Sequence, residues 1–143
     1  MKLHLGCGND YRKGWVNIDS DPSVKVDIRR DLEKGLPFSD NTIEEVYARH
    51  LIEHIKDDAF LMNEIWRVCK KGASVRLVFP DGHGIGAFDW DHKSFWNMRK
   101  IGYLAKHNRK TYMGLCCDMV YINHVELMEN GTKVIDVLLE VDK

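Results

Sequence analysis

The chain has 143 residues and a mass of 16.6 kDa, and 44% of it is hydrophobic, enough for one domain over 1–143 with a real core but not for two. Its 21 Lys and Arg against 22 Asp and Glu leave a net charge of -1, which excludes the whole-molecule positive field of a general nucleic-acid binder. No apolar run approaches a membrane span, the N-terminus has no signal-peptide pattern, and the four cysteines form no C-x-x-C pair, so a cytoplasmic protein with unbridged thiols is expected.

Leu3-His4-Leu5 reads as a short inner strand that breaks at Gly6-Cys7-Gly8. Trp15-Val16-Asn17-Ile18 is a second strand, stopped by Asp19-Ser20-Asp21-Pro22. Only Asn9 to Gly14 lie between them, whereas a parallel crossover with a full helix needs roughly ten or more residues. Either the first crossover helix shrinks to a turn or the pair is not parallel. Val24 to Ile28 predicts a third strand, Asp31-Leu32 opens a loop rich in breakers, and Ile43 to Ala48 predicts a fourth strand. Asp57-Asp58 are good N-caps for a helix with Leu61, Ile65, Val68 and Cys69 on one face, and Lys70-Lys71-Gly72 supply cations and a glycine to its end. Val75 to Phe79 is a strand stopped by Pro80. Met119 to Leu127 and Lys133 to Val141 flank Glu129-Asn130-Gly131, a hairpin signal.

This order predicts a Rossmann-like three-layer α/β fold with a mostly parallel sheet, a shortened first crossover and an antiparallel C-terminal hairpin. Ligands of such sheets bind beyond the carboxyl ends of the strands. Gly6 to Asn9, Asp19 to Asp21, Asp31-Leu32, Arg49-His50 and Pro80-Asp81 each follow a strand and so converge there. Gly6 and Gly8 let backbone approach a ligand, Asp19 is placed to accept hydrogen bonds from the two hydroxyls of a ribose, and Asp31-Leu32 offer a polar and an apolar contact to a purine. A nicotinamide dehydrogenase would share this order, but G-x-G-x-x-G is absent because position 11 is Tyr. No crossover helix aims its dipole at a pyrophosphate either.

Taken together these segments resemble the class I S-adenosylmethionine-dependent methyltransferases, particularly short type 11-like members with a truncated first crossover. The resemblance rests on Leu3 to Gly8, Val16 to Pro22, Asp31-Leu32 with Leu36-Pro37-Phe38, Glu45 to His54, and Trp66 to Gly72 before a strand. It implies a seven-stranded sheet with the last strand antiparallel, S-adenosyl-L-methionine as donor, and transfer of its methyl group to a small-molecule or glycan-type acceptor. The family's pattern implies that Leu5, Gly6, Cys7 and Gly8 lie against the methionine part, that Asp19 and Ser20 hold the ribose, and that Asp31 and Leu32 flank the adenine. Arg49 and His50 are implied near the transferred methyl. The chain departs from the pattern in lacking the further glycine and full helix after the first strand. Only Met1 and Lys2 precede that strand, so a site left open, or closed by a second copy of the chain or a larger complex, is expected. A donor-binding module acting as a subunit of such a complex is the alternative reading.

Methyl transfer from a sulfonium relies on positioning, and a hydroxyl or protonated amine acceptor must also lose a proton. His50 and His54 are the first candidates for the catalytic base, ahead of Asp81, His83 and His92. His50 and His54 stand four apart, but the fourth strand ends near His50 and spoils helical spacing, so no metal is expected on that pair with Asp89, Asp91 or His92. Residues 92–112 hold Lys93, Arg99, Lys100, Lys106, Arg109 and Lys110 with no acid, interleaved with aromatics. An amphipathic helix packing Ile101, Tyr103 and Leu104 inward is favoured there over a nucleic-acid surface.

Overall fold

The computed structural model describes residues 1–105 and 114–143. Side-chain parity in short strands decides the architecture. In β1 (Lys2–Leu5) Leu3 and Leu5 are fully buried on one face and His4 turns to the other. The same alternation runs through β2 (Val16–Asp19), β4 (Ile43–Arg49), β5 (Cys69–Pro80) and β7 (Thr132–Val141), while β3 (Ile28–Arg29) and β6 (Met119–Glu129) form the edges. The sheet order is β3-β2-β1-β4-β5-β7-β6, parallel from β3 to β5, with β7 antiparallel to both its neighbours. The chain leaves β1 on one side for β2 and returns on the other as β4, so the point where the strand order reverses lies between them, with Leu5 beside Ala48.

The first crossover is a turn, and the strands it joins are parallel, Leu3 beside Val16 and Leu5 beside Ile18. Asn17 explains how residues 6–15 hold shape without a helix. Fully buried, it donates from Nδ2 to the carbonyls of Arg12 at 3.0 Å and Trp15 at 3.1 Å and accepts from the Arg12 amide at 2.8 Å. It also limits β3. The Asp27 carboxylate accepts from the Asn17 amide at 2.7 Å, so a side chain takes the place of a ladder acceptor and pairing is confined to Ile28–Arg29 rather than Val24 to Ile28.

α1 (Asp58–Val68) is capped by Asp57, whose side chain accepts from the Phe60 amide, and it buries Leu61, Met62, Ile65 and Val68 against the sheet. Cys69 and Lys70-Lys71-Gly72, expected on the helix and its end, belong to β5. Cys69 pairs with Ile43 and takes extended backbone, and Gly72 at φ +75° lies in the irregular stretch before Ser74 rejoins the register opposite Glu45. Burial pushes the Cys69 thiol up to about 12. α2 (Met98–Gly102) is capped by Asn97 and packs Ile101 inward, with Leu104 beyond it. The basic residues here are engaged: Lys93 pairs with Glu33, Lys100 with Asp58, and Arg99 donates to the Tyr103 hydroxyl. Lys106, Arg109 and Lys110 lie outside the described residues.

The face opposite α1 is thinly covered. Arg12 stacks on Tyr47 with 3.7 Å from its guanidinium to the ring centroid, Trp15 packs beside them, and Lys2–Glu45 and Arg76–Asp136 ion pairs cross the strands. Among the described residues no helix is long and apolar enough to cross a membrane.

Candidate functional site

Beyond the carboxyl ends of β1, β2 and β4 lies a cleft of about 500 Å³, within the usual range for small-molecule sites. Gly6 (φ +59°) and Gly8 (φ +48°) form its floor. A β-carbon on Gly6 would stand 2.7 Å from the Leu51 side chain, so only glycine permits this approach, whereas Gly8 faces open space. The Asp19 carboxylate accepts from the Gly8 amide at 2.8 Å through one oxygen and from the Asp21 amide at 2.9 Å through the other. Each oxygen keeps a further lone pair for a ligand. Asp31 caps the turn of Leu32–Lys34 by accepting from the Glu33 amide, and it lines the cleft together with Leu32. Glu33 receives the Lys56 amide and the Lys93 amine, which brings the loop after β5 over the cleft's edge.

A second cleft of about 390 Å³ adjoins the first, and His50 and His54 belong to the walls of both. His50 takes φ +48°, a conformation histidine tolerates better than most side chains, while its amide donates to the Val78 carbonyl. Its ring spans two carboxylates, Nδ1 at 3.3 Å from Glu53 and Nε2 at 3.0 Å from Glu129. Glu53 and then Glu129 hold the imidazole above its ordinary pKa against the opposing effect of partial burial. Glu129 in turn is held below the usual carboxylate range by His50 and Arg49. His54 sets Nδ1 toward the Asp91 carboxylate at 3.3 Å. The loop after β5 closes the second cleft and is pinned by Trp96, which is buried against Phe79, and by the Lys93 and Ser94 amides on the Glu53 carbonyl.

Gly6, Gly8, Asp19, Ser20, Asp31, Leu32 and His50 thus meet in one cleft. Leu5 and Cys7 do not line it: their side chains are 0% and 3% exposed in the core, and the backbone alone faces the turn. Burial, with the charge of Asp19 next, raises the Cys7 pKa and keeps this thiol neutral. Arg49 also turns away, its guanidinium 2.7 Å from Glu129. His83 pairs with Asp81 outside both clefts, while His92 lines the second. Glu53 and Glu129 are the residues that residue-by-residue reasoning passes over. The topology carries a signal for Glu129: β7 runs antiparallel to β5 with Val134 beside Pro80, so the hairpin tip must return to the carboxyl ends of the parallel strands.

Residues 3–77 match the methyltransferase-domain family. No curated protein matches the sequence. Among solved structures, YcgJ from Bacillus subtilis superposes with a TM-score of 0.71 at 13% identity over 99% of this chain and 92% of that one. A chain from the complex of the Haloferax volcanii Trm112 methyltransferase activator with a methyltransferase gives 0.72 at 13% identity over 99% and 82%. The [4+2]-cyclase SpnF gives 0.72 at 12% identity over 99% and 74%, which shows this fold carrying another activity. The family match covers more than half the chain and falls on the glycine turn, the acid at the end of β2 and the turn after β4 that bears His50, so the chain belongs to the class I S-adenosylmethionine-dependent methyltransferase family.

Proposed function

We propose that the chain transfers a methyl group from S-adenosyl-L-methionine in the first cleft to a small-molecule or glycan-type acceptor in the second. The observation that carries this reading is the Asp19 carboxylate, fixed by the Gly8 and Asp21 amides at the mouth of a cleft that also holds Gly6, Asp31 and Leu32. These residues fit an adenosine: fixed acceptors for two ribose hydroxyls, an apolar side chain with a neighbouring acid for the purine, and glycine backbone where the chain of the donor must pass. When bound, the donor supplies a methyl group already activated on sulfur. The protein's part is to align the acceptor and exclude water. His50, fixed by two carboxylates at the boundary of the clefts, positions the acceptor. His54, with Nε2 left open by the Asp91 contact at Nδ1, is the nitrogen able to take the acceptor's proton.

Calorimetry with S-adenosylmethionine and with its demethylated product tests the first cleft, and a panel of hydroxyl and amine acceptors scored by release of the demethylated product tests the second. Absence of binding by both nucleosides sinks the reading. A second reading, a donor-binding subunit of a complex, is favoured by β6, where Val120, Tyr121, Ile122, Val125, Leu127 and Met128 are all exposed on an edge strand. The Haloferax volcanii structure, a complex with an activator, supports it. Donor binding with no turnover until a partner chain is added would select it.

A further inference from the structure

The turn after β4 sets metal-ligating side chains into the second cleft in an arrangement that aligning an acceptor does not require. Glu53 is 1% exposed, and its Oε2 finds no hydrogen-bond partner among the described residues. A buried carboxylate oxygen without a partner is strongly disfavoured, which leaves it open to a group from beyond the described residues. The neighbouring cations among the described residues are committed elsewhere, Lys93 to Glu33 and Arg49 to Glu129, while His50 meets the other Glu53 oxygen.

His54 and His92 stand beside that carboxylate, their rings edge-on with centroids 4.8 Å apart. One ligating atom from each of Glu53, His54 and His92 lies within 4.8 Å of the other two. Both imidazoles are oriented from behind. His92 directs Nδ1 to the Ala87 carbonyl at 3.2 Å, and His54 directs Nδ1 to the Asp91 carboxylate at 3.3 Å. Each therefore keeps Nε2 for a ligand, which is how outer carbonyls and carboxylates hold metal-bound histidines. The four-residue spacing of His50 and His54 is not the basis of this site, because Ile52–His54 is a 3-10 turn and His50 is engaged by Glu53 and Glu129. The third ligand comes instead from the loop after β5, brought close because the Lys93 and Ser94 amides bind the Glu53 carbonyl.

We propose that Glu53, His54 and His92 bind one divalent transition-metal cation. Two imidazole nitrogens and one carboxylate suit zinc and its first-row neighbours rather than magnesium or calcium. Bonds of about 2.0–2.2 Å require the three side chains to close by about 1 Å, which the partly exposed His54 ring can supply. Further coordination positions face the second cleft, where water or an oxygen-bearing ligand completes the shell. The site stands independently of the methyl-transfer reading, although a cation there would occupy the nitrogen that His54 otherwise offers to a proton.

The test uses the full chain stripped of metal by a chelator, titrated with Zn²⁺ by calorimetry and with Co²⁺ by visible absorption. One equivalent binds saturably, and the Co²⁺ bands differ from those of the aqueous ion. His92→Gln and the double variant His54→Ala/His92→Ala weaken binding by more than about tenfold, the loss that even second-sphere changes cause. His83→Ala, outside the cluster, leaves it unchanged. Far-UV circular dichroism and melting of His92→Gln match the parent chain, which separates lost coordination from lost folding. Equal Zn²⁺ isotherms for the parent and the double variant, or a Co²⁺ spectrum of the aqueous ion throughout, overturn the proposal.

Discussion

The Gly8 amide donates to the Asp19 carboxylate at 2.8 Å, tying the turn after β1 to the end of β2. One side chain thus shapes the glycine turn and presents acceptors to whatever enters the cleft. Asp19→Ala is expected to cost about 1–2 kcal/mol of stability, because the Gly8 and Asp21 amides both lose their acceptor. It is also expected to weaken binding of both the donor and its demethylated product by about 10- to 100-fold, the size of one or two charged hydrogen bonds. Urea unfolding and calorimetry measure the two effects separately. Unaltered nucleoside affinity would remove Asp19 from the ribose site.

Gly6 and Gly8 share a positive φ but not their surroundings. Gly6→Ala combines a left-handed backbone with a contact of 2.7 Å to the Leu51 side chain, and a loss of about 2–3 kcal/mol is expected. Gly8→Ala meets nothing within 4 Å, so about 1 kcal/mol is expected from the backbone alone. Its new methyl group stands in the cleft, so this variant loses nucleoside affinity while staying folded. Denaturation midpoints in the opposite order would contradict the geometry.

His4 sits behind Arg12 and Tyr47 with 2% exposure, and its pKa is lowered from 6.5 by burial first and by the Arg12 charge next. As pH falls through 6.5 the unfolded chain takes up a proton that the folded chain refuses. Stability is therefore full above that value and declines toward the lower folded pKa. His4→Gln keeps a polar group near Asn17 without this titration, and its melting temperature should fall less between pH 7 and pH 5 than that of the parent chain. Parallel curves would assign the decline to other groups.

Trp96 is 2% exposed, lies 5.8 Å from Phe79 between ring centroids, and donates from its indole to Ser94 at 3.0 Å. It pins the loop that walls both clefts. Trp96→Ala is expected to cost about 3–5 kcal/mol, typical of a buried tryptophan. Amide exchange should accelerate most in residues 81–97, where the Gly82 amide bonds to the Trp96 carbonyl. Uniform acceleration across β1 and β4 instead would show that Trp96 supports the whole core.

What the sequence reveals here follows the range over which each signal acts. Leu3, Leu5, Val75, Leu77 and Phe79 alternate within their own strands, and Asn130-Gly131 is a local turn, so strands and hairpin are legible. Lys70-Lys71-Gly72 is ambiguous because a glycine after cations ends a helix as readily as it permits an irregular strand, and the pairing of Cys69 with Ile43 decided between them. Asp27 shortens β3 through a side-chain bond to Asn17, which no strand propensity registers. Leu5 and Cys7 are adjacent to the cleft in sequence, yet their side chains point into the core. The contacts of Glu129 with Arg49 and His50 join positions 80 and 79 residues apart and emerge only from the sheet order.

With turns in place of helices between β1, β2 and β3, one face of the parallel strands carries Lys2, His4, Asn17, Glu45, Tyr47 and Arg76 instead of the continuous apolar runs of a sheet covered on both sides. The economy in length is thus written into residue parity. Alternate positions of these strands have become ion-paired, as at Lys2, Glu45 and Arg76, or polar and aromatic under the Arg12 and Trp15 side chains, as at His4, Asn17 and Tyr47, and adding a helix to that face would require rewriting the strands beneath it. The short crossovers of this methyltransferase fold are a property of its sheet as much as of the turns that replace the helices.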